Sequence, residues 1–116
     1  MTQYTISRDG MPPIRFTGEQ IAKGSDRVHN STRWTNVELF LTKGGKYVAS
    51  INRRTQWQGE RDSTVAMSFT SAADVIAWLS EQTGNSVDLS QAAQEAVEAA
   101  AKRSDTFAAA WVENVD

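Results

Sequence analysis

The sequence predicts an α+β domain, an antiparallel sheet of about five strands with two C-terminal helices packed on one face. The hydrophobic period changes once: apolar residues alternate through most of residues 1–69, then recur at helical spacing through 70–116. The connections between strands are short, which favours antiparallel neighbours. A Gly44-Gly45 pair sits between two alternating runs, as a hairpin turn requires. At 116 residues the chain suits one domain with its own core.

Tyr4 to Ser7 alternates and reads as a first strand, ended by the turn signal Arg8-Asp9-Gly10. Met11-Pro12-Pro13 continues that connection, because proline donates nothing to a ladder. Ile14 to Phe16 returns as a second short strand. Thr17-Gly18-Glu19-Gln20 has the spacing of a capping box, so a turn or two of helix is expected, stopped at Gly24. Residues 25–32 are polar and read as a loop. Arg33 to Thr42 is the clearest strand, with Val37, Leu39 and Leu41 on one face and Asn36, Glu38 and Phe40 on the other. Lys43-Gly44-Gly45-Lys46 makes the turn, its glycines suited to the positive φ of two-residue hairpins. Tyr47 to Asn52 runs back, placing Tyr47, Ala49 and Ile51 together. Arg53 to Asp62 is polar, with Trp57 at its centre and Gly59 as a break, and reads as a loop or as bent strand ends. Thr64 to Phe69 is the last strand, with Val65, Met67 and Phe69 on one side.

The first helix opens behind Ser71 (or Thr70) with Asp74 in the box position, buries Val75, Ile76 and Leu79, and closes at Gly84. The second begins near Ser90, with Asp88 or Ser90 as cap. Leu89, Ala93, Ala96, Ala100, Phe107 and Trp111 fall at nearly whole turns, so one long helix, kinked at Ser104-Asp105, is favoured over a restart there. Its alanines suit close approach to the sheet, and Phe107 and Trp111 keep a homodimer through this helix in view.

There are no cysteines, which excludes disulfides, thiolate catalysis and cysteine-ligated metals. Met1-Thr2-Gln3-Tyr4 lacks the basic and then apolar pattern of a secretory signal, and no apolar run approaches the roughly 20 residues that cross a bilayer. A cytoplasmic protein without membrane attachment is expected. The net charge of −2 hides a polarity. Residues 1–61 hold ten Lys and Arg against five Asp and Glu, and residues 62–116 hold two against nine. Such an imbalance concerns partners and orientation rather than fold.

Catalytic and metal-binding patterns are sparse. His29 lies in a polar loop near Asp26 and Ser31, but a catalytic triad needs three groups assembled in space, and sequence neighbours do not supply that geometry. Asp26 and His29 are at most two metal ligands. Gly44-Gly45 joins two strands rather than leading into a helix, so it is a turn and not a phosphate loop. Neither a cofactor nor an enzymatic activity is expected.

One constellation remains: Lys43, Lys46, Arg53, Arg54, Trp57 and Arg61, five cations against Glu60 alone. Arginine forks bind carboxylates and phosphates, and tryptophan offers a stacking surface; both residue types are enriched at protein interfaces. A protein partner on this basic hairpin is therefore expected, with a nucleic acid as the alternative. The sequence pI of about 5.4 weighs against the latter.

Arg33-Trp34-Thr35, Val37-Glu38-Leu39 and Gly44-Gly45-Lys46-Tyr47-Val48 resemble a family of small uncharacterised bacterial proteins, the EXLDI family, named for a Glu-x-Leu-Asp-Ile motif near the C-terminus. In this chain Glu113 and Asp116 match that motif, Val115 replaces the leucine and the isoleucine is absent. The resemblance implies a bacterial origin and carries no activity or functional residues with it. Together with the charge polarity, the exposed-looking arginines and tryptophan and the lack of catalytic residues, an accessory or inhibitory factor of a plasmid, phage or other mobile element is expected.

Overall fold

The computed structural model describes residues 1–83 and 89–112. Five strands, β1 (Thr2–Arg8), β2 (Met11–Ser25), β3 (Arg33–Thr42), β4 (Tyr47–Thr55) and β5 (Ser63–Phe69), form one antiparallel meander in chain order. Among the described residues three helices follow: α1 (Ala72–Thr83), α2 (Gln91–Arg103) and α3 (Asp105–Ala110). The α+β class is as the change of period predicts. None of these helices is long and apolar enough to cross a membrane.

The alternation along the central strands divides two cores. Val37, Leu39, Ala49 and Ile51 face the helices and pack with Val75, Leu79, Ala96 and Phe107, all nearly or fully buried. On the opposite face Phe40 joins Tyr4 and Phe16, with ring centroids 4.9–5.3 Å apart, and Val48 is buried. That second core exists because the sheet curls until β1 reaches β5. Asp9 N donates to Thr64 O (3.1 Å), Thr64 N donates to Asp9 Oδ2 (3.0 Å), and Arg8 Nη1 donates to Ala66 O (3.3 Å).

Residues 11–25 depart most from the sequence reading. They form one strand rather than a connection, a short strand and a helical turn. Its first half pairs with β1 and its second with β3, so backbone groups are satisfied along both neighbours. A helix of one or two turns after Thr17 would satisfy far fewer of them. Pro12 and Pro13 lie where the β1–β2 register shifts, an irregularity that tolerates a missing donor. A second shift between Gln20 and Ala22 leaves Ile21 unpaired with β3, and both Ile21 and Ala22 reach the helix-side core.

The hairpin between β3 and β4 also differs in detail. Gly45 N donates to Thr42 O (3.0 Å) and Thr42 N to Lys46 O (2.8 Å), while only Gly45 of the pair has positive φ (86°). This is a three-residue loop, a turn followed by a left-handed glycine, rather than a two-residue one. Beyond it β4 continues through Arg53, Arg54 and Thr55.

The C-terminal helix breaks where Ser104 stands extended (φ −138°, ψ 119°). Its N–H donates to Ala100 O (2.8 Å) and its Oγ accepts from Phe107 N (3.4 Å), so one serine ends α2 and starts α3. The favoured single long helix is thus corrected to a restart. Ser71 Oγ accepts from Asp74 N (3.1 Å) and Ser90 Oγ from Ala93 N (3.3 Å), the expected caps of α1 and α2. The Gly84 stop, the alternative cap Asp88 and the Glu113–Asp116 tail lie outside the described residues.

Candidate interaction site

The predicted basic hairpin separates into two ends. Lys43 and Lys46 are exposed at the closed end, in and beside the turn. Arg53 and Arg54 are at the other end of β4, and Lys46 and Arg53, seven positions apart, are separated by about 23 Å at the rise of a strand. A single small ligand cannot touch both ends. Arg53, Arg54 and Arg61 do come together, around an open groove of about 580 Å³ that Arg33 and Trp34 also line.

The ladder explains this convergence. Arg33 pairs with Thr55, Trp34 with Arg54 and Thr35 with Arg53, so two consecutive β3 residues outside the predicted constellation are brought opposite its arginines. The segment 56–62 then folds back over the same end. Thr55 holds both sides of that return: its N–H donates to Asp62 Oδ1 (2.9 Å) and its hydroxyl donates to Glu60 Oε1 (2.5 Å). The same hydroxyl oxygen accepts from Trp57 N (3.0 Å). The Trp57 indole Nε1 donates to Thr32 Oγ1 (3.0 Å), and the residue remains 53% exposed.

Each arginine is held differently. Arg33 grips Glu60 through two nitrogens, Nε to Oε1 at 3.0 Å and Nη2 to Oε2 at 2.6 Å. Arg54 Nη1 reaches Asp62 Oδ2 at 3.2 Å. Arg53 Nη2 donates to the carbonyl of Gln82 (2.7 Å) in the last turn of α1, where a cation complements the helix dipole. Arg61 makes no side-chain hydrogen bond or ion pair among the described residues. Two further contacts stiffen the rim: the Arg27 guanidinium lies 3.9 Å from the Trp34 ring centroid, and that of Arg33 lies 5.6 Å from Trp57.

The hydrogen bond from Arg33, followed by that from the Thr55 hydroxyl, holds the Glu60 carboxyl down to about 2. Asp62 is also lowered, first by the Thr55 N–H and then by Arg54, and Arg33 is raised by Glu60. Carboxyls lowered by folding add stability above their unfolded values, and lose it as pH falls through the folded ones. The Glu60 carboxylate should therefore stay ionised and paired with Arg33 below the ordinary glutamate value of 4.5 and take up its proton only as pH approaches 2. The Trp57 amide resonances report this directly, since Trp57 N–H bonds the hydroxyl that bonds Glu60. An acid titration by heteronuclear NMR should give a midpoint far below 4.5; a midpoint at 4.5 contradicts the geometry.

His29 is exposed in the loop 26–32. Ser31 Oγ accepts from Val28 N (2.8 Å) and Asp26 Oδ1 from Thr35 N (2.6 Å), so both neighbours of the histidine are engaged in closing the loop. Among the described residues no three His, Cys, Asp or Glu side chains gather as a metal site would require. At the C-terminus Phe107 is fully buried and Trp111 is 37% exposed, while Ala92, Ala93, Ala96 and Ala100 are fully buried.

No protein-family model, no curated protein and no solved structure matches this chain.

Proposed function

We propose that this chain is a non-enzymatic interaction protein that binds a protein partner at the open end of the β3–β4 hairpin. One observation carries this reading: Arg33, Arg53, Arg54 and Arg61 line one open groove with Trp34, Arg53 from the helix side of β4 and Arg54 from the opposite side, and Trp57 stands exposed beside Arg33. Arginine and tryptophan supply the largest contributions at protein interfaces, through fork-shaped hydrogen bonding and large rigid contact area. Lys43 and Lys46 leave the proposed site because a strand's length separates them from it.

A protein is preferred over a nucleic acid because of what lies between the arginines. Asp26 and Glu60 line the same groove and Asp62 is fixed to Arg54, so carboxylates interrupt any track that a phosphate backbone would follow. Discrete carboxylates of a protein can settle on individual arginines where a continuous phosphate track cannot run.

A tagged wild-type chain and an Arg53→Glu, Arg54→Glu double variant, used as bait in the same cell extract, test the reading. The variant must first show the wild-type far-UV circular dichroism, because Arg53 also anchors the end of α1. Loss of the captured partner is the expected result. Undiminished capture by the folded variant contradicts the proposed surface.

A further inference from the structure

The loop 56–62 places two carboxylates of the chain itself on the arginines of the groove. The carboxylate of Glu60 is bound as a ligand would be, by the Arg33 fork on one side and the Thr55 hydroxyl on the other. The carboxylate of Asp62 is bound by the Thr55 N–H and by Arg54. Thr55 thus lies between two adjacent carboxylate positions, both built from backbone-fixed strand residues, and Arg61 stands beside them with its charge uncompensated among the described residues.

These are two formed carboxylate sites, and their present occupants are exchangeable. The Arg33 and Glu60 side chains are 64% and 38% exposed, and those of Arg54 and Asp62 are 46% and 47% exposed. Exposed ion pairs contribute little net stability because water and salt screen them. An incoming carboxylate recovers the same hydrogen bonds that Glu60 or Asp62 gives up, so the exchange is nearly balanced. A segment with several acidic residues adds Arg61, which among the described residues has no carboxylate to release. The groove, at about 580 Å³, has room for a short extended peptide rather than a single side chain.

We infer that the groove recognises an acidic, extended segment of its protein partner, and that Glu60 and Asp62 are built-in stand-ins for that segment's carboxylates which the partner displaces. This rests on the proposed binding site and names what that site reads. Apparent affinity is lowered by the fraction of molecules whose arginines are already occupied. Neutralising the stand-ins therefore strengthens binding, whereas carboxylates that merely braced the site would weaken it when neutralised.

The test uses fluorescence anisotropy of a labelled octaglutamate peptide at low salt, with octaglutamine and an eight-nucleotide oligothymidylate as comparators. A Glu60→Gln, Asp62→Asn double variant should bind octaglutamate about three- to fivefold more tightly than wild type. An Arg54→Glu, Arg61→Glu variant should lose the binding, and octaglutamine should bind neither. Equal or weaker octaglutamate binding by the neutralised variant overturns the stand-in role. So does the absence of octaglutamate binding to both wild type and neutralised variant. In either case partner capture that depends on Arg53 and Arg54 would still uphold the site itself. Tighter binding of oligothymidylate than of octaglutamate by wild type overturns the acidic-segment assignment in favour of a nucleic acid. Retention of the Trp57 indole resonance in the neutralised variant shows that its loop remains folded.

Discussion

Replacing Gly24 with alanine is expected to destabilise the domain by about 3 kcal/mol, at the upper end of what overpacking costs. Two effects oppose each other at this position. Alanine is ordinarily better than glycine inside a strand, by about 0.5–1 kcal/mol, because it restricts the unfolded chain. Here, however, a Cβ on Gly24 would run into the carbonyl oxygen of Ala92 and lie 2.7 Å from Ala96 N, both backbone atoms of α2. Backbone cannot turn aside as a side chain can, so the whole helix has to lift from β2. That lift also loosens Ala92, Ala93 and Ala96, which are fully buried. Urea unfolding followed by circular dichroism measures the loss. Gly44→Ala is the control: its nearest neighbour would be Thr42 Oγ1 at 3.9 Å, and its stability should stay within about 0.5 kcal/mol of wild type.

Phe107→Ala should cost about 3–5 kcal/mol, a large share of the 5–15 kcal/mol that stabilises a typical domain. Phe107 is fully buried and meets the Tyr47 ring edge to face at 5.1 Å. It is the only buried residue of α3, a helix of six residues that has no independent stability. Truncation therefore leaves a cavity under the sheet and removes what docks the helix. Trp111→Ala, at a residue 37% exposed, should cost about 1 kcal/mol or less. Equal effects of the two substitutions in urea unfolding would show that α3 is not anchored through Phe107.

The central strands were legible because each alternates cleanly and packs on both faces. Arg33–Thr42 has the boundaries that its pattern predicts, and Phe40 lies opposite Val37 and Leu39 as alternation requires. Residues 11–25 were not legible, because local chemistry pointed elsewhere. Two prolines and a capping-box spacing are short-range signals, whereas the strand they occupy is held by two neighbours distant in sequence. Gly24 shows the same conflict. By sequence it reads as a helix stop, yet its role is to let α2 lie against the sheet. Ser104 posed a different problem. The apolar phase runs through it from Ala100 to Phe107, so periodicity alone reads one helix, while the cap chemistry of the serine decides for two.

In the candidate site Arg53, Arg54 and Arg61 were legible by composition, and Arg33 and Trp34 were missed. A signal for them existed in the hairpin. Counting outward from the turn places residues 33 and 34 opposite 54–56, but a two-residue turn gives a register one position off from the observed Arg33–Thr55 pairing. The hydrogen bonds of Thr55 to both Glu60 and Asp62 had no sequence signal, because they depend on how the 56–62 segment folds back. Lys43 and Lys46, grouped with the arginines by their place in the sequence, stand a strand's length from them in space.

The most direct test of where this protein binds compares two charge reversals at opposite ends of one hairpin. Lys43→Glu with Lys46→Glu alters the turn, and Arg54→Glu with Arg61→Glu alters the groove; all four side chains are exposed, so both variants should fold. Capture of a protein partner from the same extract should persist with the turn variant and be lost with the groove variant. Loss with the turn variant and persistence with the groove variant would place recognition at the closed end and contradict the proposed site.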